Sequence, residues 1–202
     1  MKLVRVLIAL FLAGLVISGI HPHDYFTWIL EVFPAILGFA VLLVTYNRFT
    51  FTKLTYCFIL FHCYVLFIGG HYTYAEVPAF NWLRDALHQS RNNYDKVGHF
   101  TQGFVPAMIT RELLIRLQVV SKRPWLAFLT VCVCVTISAL YEFLEWLVSI
   151  LSGASGDSFL GTQGYVWDTQ SDMLYAMIGA ITMVTLFARM QDKAIAGMVK
   201  SR

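Results

Sequence analysis

Apolar positions along this chain fill whole runs, separated by short polar breaks, where a soluble helix would show a single stripe. The runs cover about 3–20, 25–46, 54–70, 95–117, 125–151 and 165–187. A hydrocarbon core of about 30 Å takes roughly 20 apolar residues as helix, so the pattern predicts six transmembrane helices. The fifth run exceeds what a bilayer requires and predicts tilt or protrusion. The first, opening with Lys2 and Arg5, has the layout of a span and also of a signal peptide. Its length and the poor cleavage neighbourhood His21-Pro22-His23-Asp24 favour a retained span. Residues 71–93 predict a loop carrying a short interfacial helix around Phe80–His88. Ser152–Gly164 reads as a Gly- and Ser-rich loop, and Arg189–Arg202 as a short basic tail.

Composition fits the pattern and removes other classes. The chain is 58% apolar and only 13% charged, against roughly 25% charged in a soluble domain, and its mean hydropathy is +0.64. The expected fold class is all-α: a polytopic membrane protein forming a single transmembrane domain over 1–202, with no soluble domain left over. Lys and Arg set the orientation. With the N-terminus inside and six spans, twelve basic residues fall on the cytoplasmic side and only Arg84, Arg91 and Lys96 outside, so both termini are expected in the cytoplasm. The basic residues form no stripe, so no nucleic acid is expected as a partner; the bilayer is the expected one. Cys57, Cys63, Cys132 and Cys134 sit inside apolar runs without metal or redox spacing and read as buried thiols.

Candidate chemistry comes from the polar residues that interrupt three runs. At helical spacing Asp95, His99, Gln102 and Pro106 share one stripe; Ser138, Glu142, Glu145 and Ser149 form a second, and Asp168, Asp172, Tyr175 and Gly179 a third. With alternating spans, His99, Glu145 and Asp172 should share a level near the outer face, with Gln102, Glu142 and Tyr175 one turn deeper. Carboxylates and an imidazole at that depth repel and desolvate one another unless a cation or retained protons intervene. A divalent metal is the economical cation, and this donor set suits Mn²⁺, Fe²⁺, Mg²⁺ or Zn²⁺. On that reading His99, Glu145, Asp168 and Asp172 are ligands, Glu142 or Asp95 is a general base on bound water, and Lys96 steadies an anionic head group. The alternatives are a hydrogen-bonded network of protonated acids with His99, Gln102 and Tyr175, or a proton or ion path.

Other polar residues have plainer readings. Lys96 also reads as an anchor that snorkels to the interface. His62 reads as a packed, hydrogen-bonded histidine and His71 as a lesser candidate ligand at the level of the site. Tyr94, Tyr141, Trp146, Tyr165 and Trp167 predict an aromatic belt. Gly98, Gly103 and Gly179 suit close helix approach.

Three stretches, Asp95-Lys96-Val97-Gly98-His99-Phe100, Tyr141-Glu142-Phe143-Leu144-Glu145-Trp146 and Trp167-Asp168-Thr169-Gln170-Ser171-Asp172-Met173, together resemble the bacterial inner-membrane family that includes YjdF, a family of unknown function. More distantly they resemble VanZ-like proteins, with Asp-Lys-x-x-His-Phe, Glu-x-x-Gln and Asp…Asn…Gly elements. Asp95, Lys96, His99 and Phe100 match the first element, Glu142 the second, and Asp172 and Gly179 the third. Glu145 stands where that pattern tends to have Gln, and Ala176 where it tends to have Asn. The resemblance implies a multi-pass protein of the bacterial cytoplasmic (inner) membrane. Together with the stripes it leads to an expected polar pocket near the outer face, serving, if the protein is an enzyme, metal-assisted hydrolysis or transfer on a lipid or lipid-linked envelope substrate. A proton- or ion-coupled small transporter and a structural membrane protein without catalysis stand beside it. No nucleophile elbow or Walker loop is present, so serine acyl transfer and nucleotide hydrolysis are not expected.

Overall fold

The computed structural model describes residues 2–152, 159 and 162–200. The described residues are helical and include no strand. In chain order the helices are α1 (Lys2–Ser18), α2 (Tyr25–Thr45), α3 (Lys53–His71), α4 (Pro78–Ala86), α5 (Tyr94–Arg116), α6 (Arg123–Ser152) and α7 (Asp168–Thr182). A π-helical turn, Met183–Phe187, then leads without a break into α8 (Ala188–Lys200). Local chemistry sets several starts. The Asp24 carboxylate accepts the Thr27 N–H at 2.6 Å to cap α2, and the Thr52 hydroxyl accepts that of Thr55 at 3.3 Å to cap α3. Pro78 opens α4, where its missing N–H costs nothing.

Four of these helices are long and apolar enough to cross a membrane: α2, α3, α6 and the continuous stretch Asp168–Met198. The other two predicted spans are helices as well. However, α1 has 17 residues, and α5 carries Asp95, Lys96, Arg111, Glu112 and Arg116 within its 23. The short helix expected around Phe80–His88 forms as α4, Pro78–Ala86. The expected tail after Arg189 is corrected: the chain stays helical to Lys200 because α8 is docked. Arg111 donates to Gln191 Oε1 at 3.0 Å and to Asp192 Oδ1 at 2.6 Å, and Gln191 Nε2 donates to the Met108 carbonyl at 2.7 Å. The Gly- and Ser-rich loop lies largely outside the described residues.

Helix α5 is central, packed against α3, α6 and α7. Its approach to α7 is backbone on backbone: a Cβ at Gly103 would overlap the Ala176 carbonyl, and one at Gly179 the Phe100 carbonyl. Phe104, Val105, Met108, Cys134 and Met183 fill the core beside this seam. A second cluster joins α1 to α2 and α3, with Phe11 stacked on Phe39 at 4.4 Å and tilted against Phe67 at 5.4 Å. The outer face of α6, including Phe143, Leu144 and Trp146, is exposed and apolar, as a lipid-facing surface is.

At one end of the bundle, Glu112 is fully buried and fully used. It accepts from the Thr52 N–H at 2.8 Å, the Thr55 hydroxyl at 2.6 Å and Arg116 Nη1 at 2.8 Å. Arg116 also donates to the Thr50 carbonyl at 2.6 Å and lies over the Phe49 ring at 4.1 Å. Glu112→Ala removes one member of a buried pair and is expected to cost about 3–5 kcal/mol. Unfolding in detergent measures it, and an unshifted midpoint would show that the clamp contributes nothing.

Candidate functional site

At the opposite end of α5, about 25 Å from Glu112 at 1.5 Å per residue, the start of α5, the second half of α6 and the start of α7 bring their polar stripes together. Asp95, Lys96, Glu142, Glu145, Asp168 and Asp172 are all buried. Lys96 Nζ donates to Asp172 Oδ1 at 2.6 Å and Asp168 Oδ1 at 2.9 Å, and stands 3.3 Å from Asp95 Oδ2. Arg91, from the loop before α5, donates to Asp168 Oδ1 at 2.5 Å and also pairs with Asp95. Burial works to lower the Arg91 pKa, but the Asp168 hydrogen bond and the charges of Asp95, Asp168 and Asp172 outweigh it and leave the pKa raised. Three aspartates therefore share two protein cations. Lys96 does not snorkel outward; its ammonium is enclosed by carboxylates.

A second group adjoins the first. Ligand atoms of His99, Glu142 and Asp172 lie within 4.8 Å of one another. His99 Nδ1 is 2.9 Å from Gln102 Oε1, and with the amide oxygen facing the ring the proton belongs on Nδ1 and the lone pair on Nε2. Nε2 is 3.6 Å from Asp172 Oδ1, and Nδ1 is 3.9 Å from Glu142 Oε1. Among the described residues Glu142 Oε1 is buried without a hydrogen-bond partner. Asp95, Asp168 and Asp172 also come within 4.8 Å of one another, but Arg91 and Lys96 already sit among them.

The predicted residues thus divide. His99 and Asp172 meet with Glu142, expected as a base. Asp168, expected as a ligand, is engaged by Arg91 and Lys96. Glu145 is outside the His99 group and, among the described residues, has no hydrogen-bond or ion-pair partner; it lines a cavity described below. Tyr175 is 39% exposed and takes no part in the site. The buried stripe of α7 is Asp168, Asp172, Ala176 and Gly179.

Three further predictions are corrected. Tyr94 leaves the aromatic belt to donate to the Val65 carbonyl at 3.0 Å, and Tyr141 leaves it to donate to Glu31 Oε2 at 3.3 Å, while Trp146, Tyr165 and Trp167 are exposed. His71 Nδ1 is 2.9 Å from the Ser18 carbonyl, tying α3 to α1. His62, expected to be hydrogen-bonded, has its Nε2 buried without a partner among the described residues.

Sequence reasoning passed over Arg91, Glu31 and Tyr74. Tyr74 enters from the loop after α3, its ring wedged between Gly69 and Gly98, and approaches the Glu31 carboxylate. Thr73 and Tyr74 both hold left-handed backbone, φ 55° and 56°. That conformation is costly for a β-branched residue and persists where surrounding packing enforces it. An elongated cavity of about 860 Å³ runs from this polar end down between α2, α3 and α5, with α1 and α6 contributing to its walls.

The comparisons with known proteins point to membrane proteins. The family described as "Predicted membrane protein (DUF2238)" matches residues 3–193. The chain is 48% identical over 175 residues to "Inner membrane protein YjdF" of Escherichia coli (strain K12), covering 87% of this chain and 84% of that protein. No solved structure matches.

Proposed function

We propose that this chain, which belongs to the DUF2238 family of membrane proteins, holds a divalent metal ion at His99, Glu142 and Asp172 and serves hydrolysis or group transfer on a lipid or lipid-linked substrate. It is a multi-pass protein of the inner membrane, as its relative is. In this reading α1 and α5 cross with the four longer helices, both termini are cytoplasmic, and the site faces the outer leaflet.

The observation that carries the reading is the buried, unpartnered Glu142 Oε1 beside the His99–Asp172 pair. An unsatisfied carboxylate oxygen in a dry interior is costly, and a cation there would satisfy it. A metal would supply Lewis acidity and an acidified water. The chain's own residues have separate tasks. Gln102 orients His99, as an outer-shell acceptor does for a ligating imidazole. Lys96 fixes Asp172, and Arg91 with Lys96 neutralises Asp95 and Asp168. Glu145, one turn beyond Glu142 and without a described partner, lines the cavity and is left to meet the head group of the substrate.

Metal content by mass spectrometry on detergent-purified protein, prepared without chelator, tests this. Near-stoichiometric metal in the wild type, lost in His99→Ala and Glu142→Gln, is the expected result. A folded wild type that stays metal-free after adding back Mn²⁺, Fe²⁺, Mg²⁺ and Zn²⁺ overturns it and leaves the acids as a helix-locking network.

A further inference from the structure

The cavity is shaped for a chain rather than for a compact solute. Along α5 its wall extends from Asp95 to Leu113, about 27 Å at 1.5 Å per residue. Spread over that length, the volume of about 860 Å³ gives a cross-section of roughly 30 Å², room for one hydrocarbon chain. Its lower walls are largely apolar, with Ala35, Gly38 and Phe39 on α2 and Pro106 and Ile109 on α5, and with His62, Arg5 and Asn47 among the few polar members. A Cβ at Gly38 would meet nothing within 4 Å, so the space there is open.

The polar end is acidic where it faces this space. Asp95, Asp168 and Asp172 have Arg91 and Lys96. Among the described residues Glu31 meets only the hydroxyl of Tyr141 and the approach of Tyr74, and Glu145, 7% exposed, meets no partner. Two buried carboxyls without a cation either keep their protons or pair with a donor that carries positive charge, and a cationic donor would find both of them open to it. Access is lateral. Helix α2 packs along α3, and α6 along α5 and α7, while α2 and α6 are joined across the cavity by the Tyr141–Glu31 hydrogen bond.

We infer that the cavity binds one hydrocarbon chain of an amine-headed phospholipid, admitted from the bilayer between α2 and α6, with its ammonium at Glu31 and Glu145. This rests on the site reading above and names its substrate class. An ammonium donates three hydrogen bonds and matches the acidic end, whereas a phosphatidylglycerol head brings only hydroxyls and a net negative charge. Hydrocarbon in the slot replaces otherwise unpartnered apolar wall.

The test is native mass spectrometry of the full chain in detergent micelles doped with phosphatidylethanolamine or phosphatidylglycerol. Retention of phosphatidylethanolamine about tenfold above phosphatidylglycerol is expected. Gly38→Trp should fill the slot and lower retention of either lipid about tenfold, while Glu145→Gln should keep chain binding and lose the head-group preference. Equal retention of the two lipids, preference for phosphatidylglycerol, or wild-type retention in a folded Gly38→Trp overturns the inference. Metal content measured on the same samples separates the two proposals. A metal-free wild type that still selects phosphatidylethanolamine defeats the metal reading alone, and a metal-loaded protein without lipid selectivity defeats this one alone.

Discussion

Lys96→Met is expected to lower stability by about 3–5 kcal/mol, the usual cost of removing one partner from a buried charge cluster. The lost ammonium leaves Asp172 and Asp168 without their contacts at 2.6 and 2.9 Å in a buried setting. Had Lys96 been a snorkelling surface anchor, the change would stay within about 0.5 kcal/mol. Unfolding in detergent distinguishes the two. The second arm is Lys96→Met with Asp172→Asn, which removes charge from both sides. It should recover part of the loss, because residues in one network couple by about 0.5–3 kcal/mol. Additive losses in the double variant would mean that the pair does not exist.

The other large effect belongs to the seam between α5 and α7. Gly103→Ala places a methyl group against the Ala176 carbonyl, and Gly179→Ala places one against the Phe100 carbonyl. Both clash partners are backbone, so no rotamer change relieves them, and the helices must separate. Losses at or above the about 1–3 kcal/mol of ordinary overpacking are expected, with the double variant less than additive because one separation relieves both clashes. Gly38→Ala is the internal control. Its Cβ meets open space, and alanine in a helix interior gains roughly 0.5–1 kcal/mol over glycine. Matching unfolding midpoints for Gly38→Ala and Gly103→Ala would remove the close approach from consideration.

Much of the architecture was legible because greasy runs and their breaks are one-dimensional signals. Helix α4 followed from mixed polarity beside Trp82, and the meeting of α5, α6 and α7 from their repeated polar stripes. What the stripes could not show was where the counter-charge came from. Arg91 lies in a loop, where an arginine reads as an orientation signal; only the fold brings it to Asp95 and Asp168. Tyr175 failed for a different reason. Steps of four and three both satisfy helical periodicity, and α7 buries Ala176, the small residue that lets Gly103 approach, instead of the tyrosine beside it. Glu112 was hidden by its neighbours Arg111 and Arg116, which made the segment read as a basic helix end. Helix α8 stayed hidden because its docking depends on Gln191, a residue whose value is set by the Met108 carbonyl on α5, far away in the chain.

The wedged ring of Tyr74 limits how the protein can move. Held between Gly69 of α3 and Gly98 of α5, it acts as a key in a slot. Sliding α3 along α5 would drive either flanking backbone into the ring, so axial translation is blocked. A swing about the ring is opposed as well, because Glu112 clamps the start of α3 to the far end of α5 and Tyr94 holds the Val65 carbonyl, so α3 and α5 are locked together as a single beam.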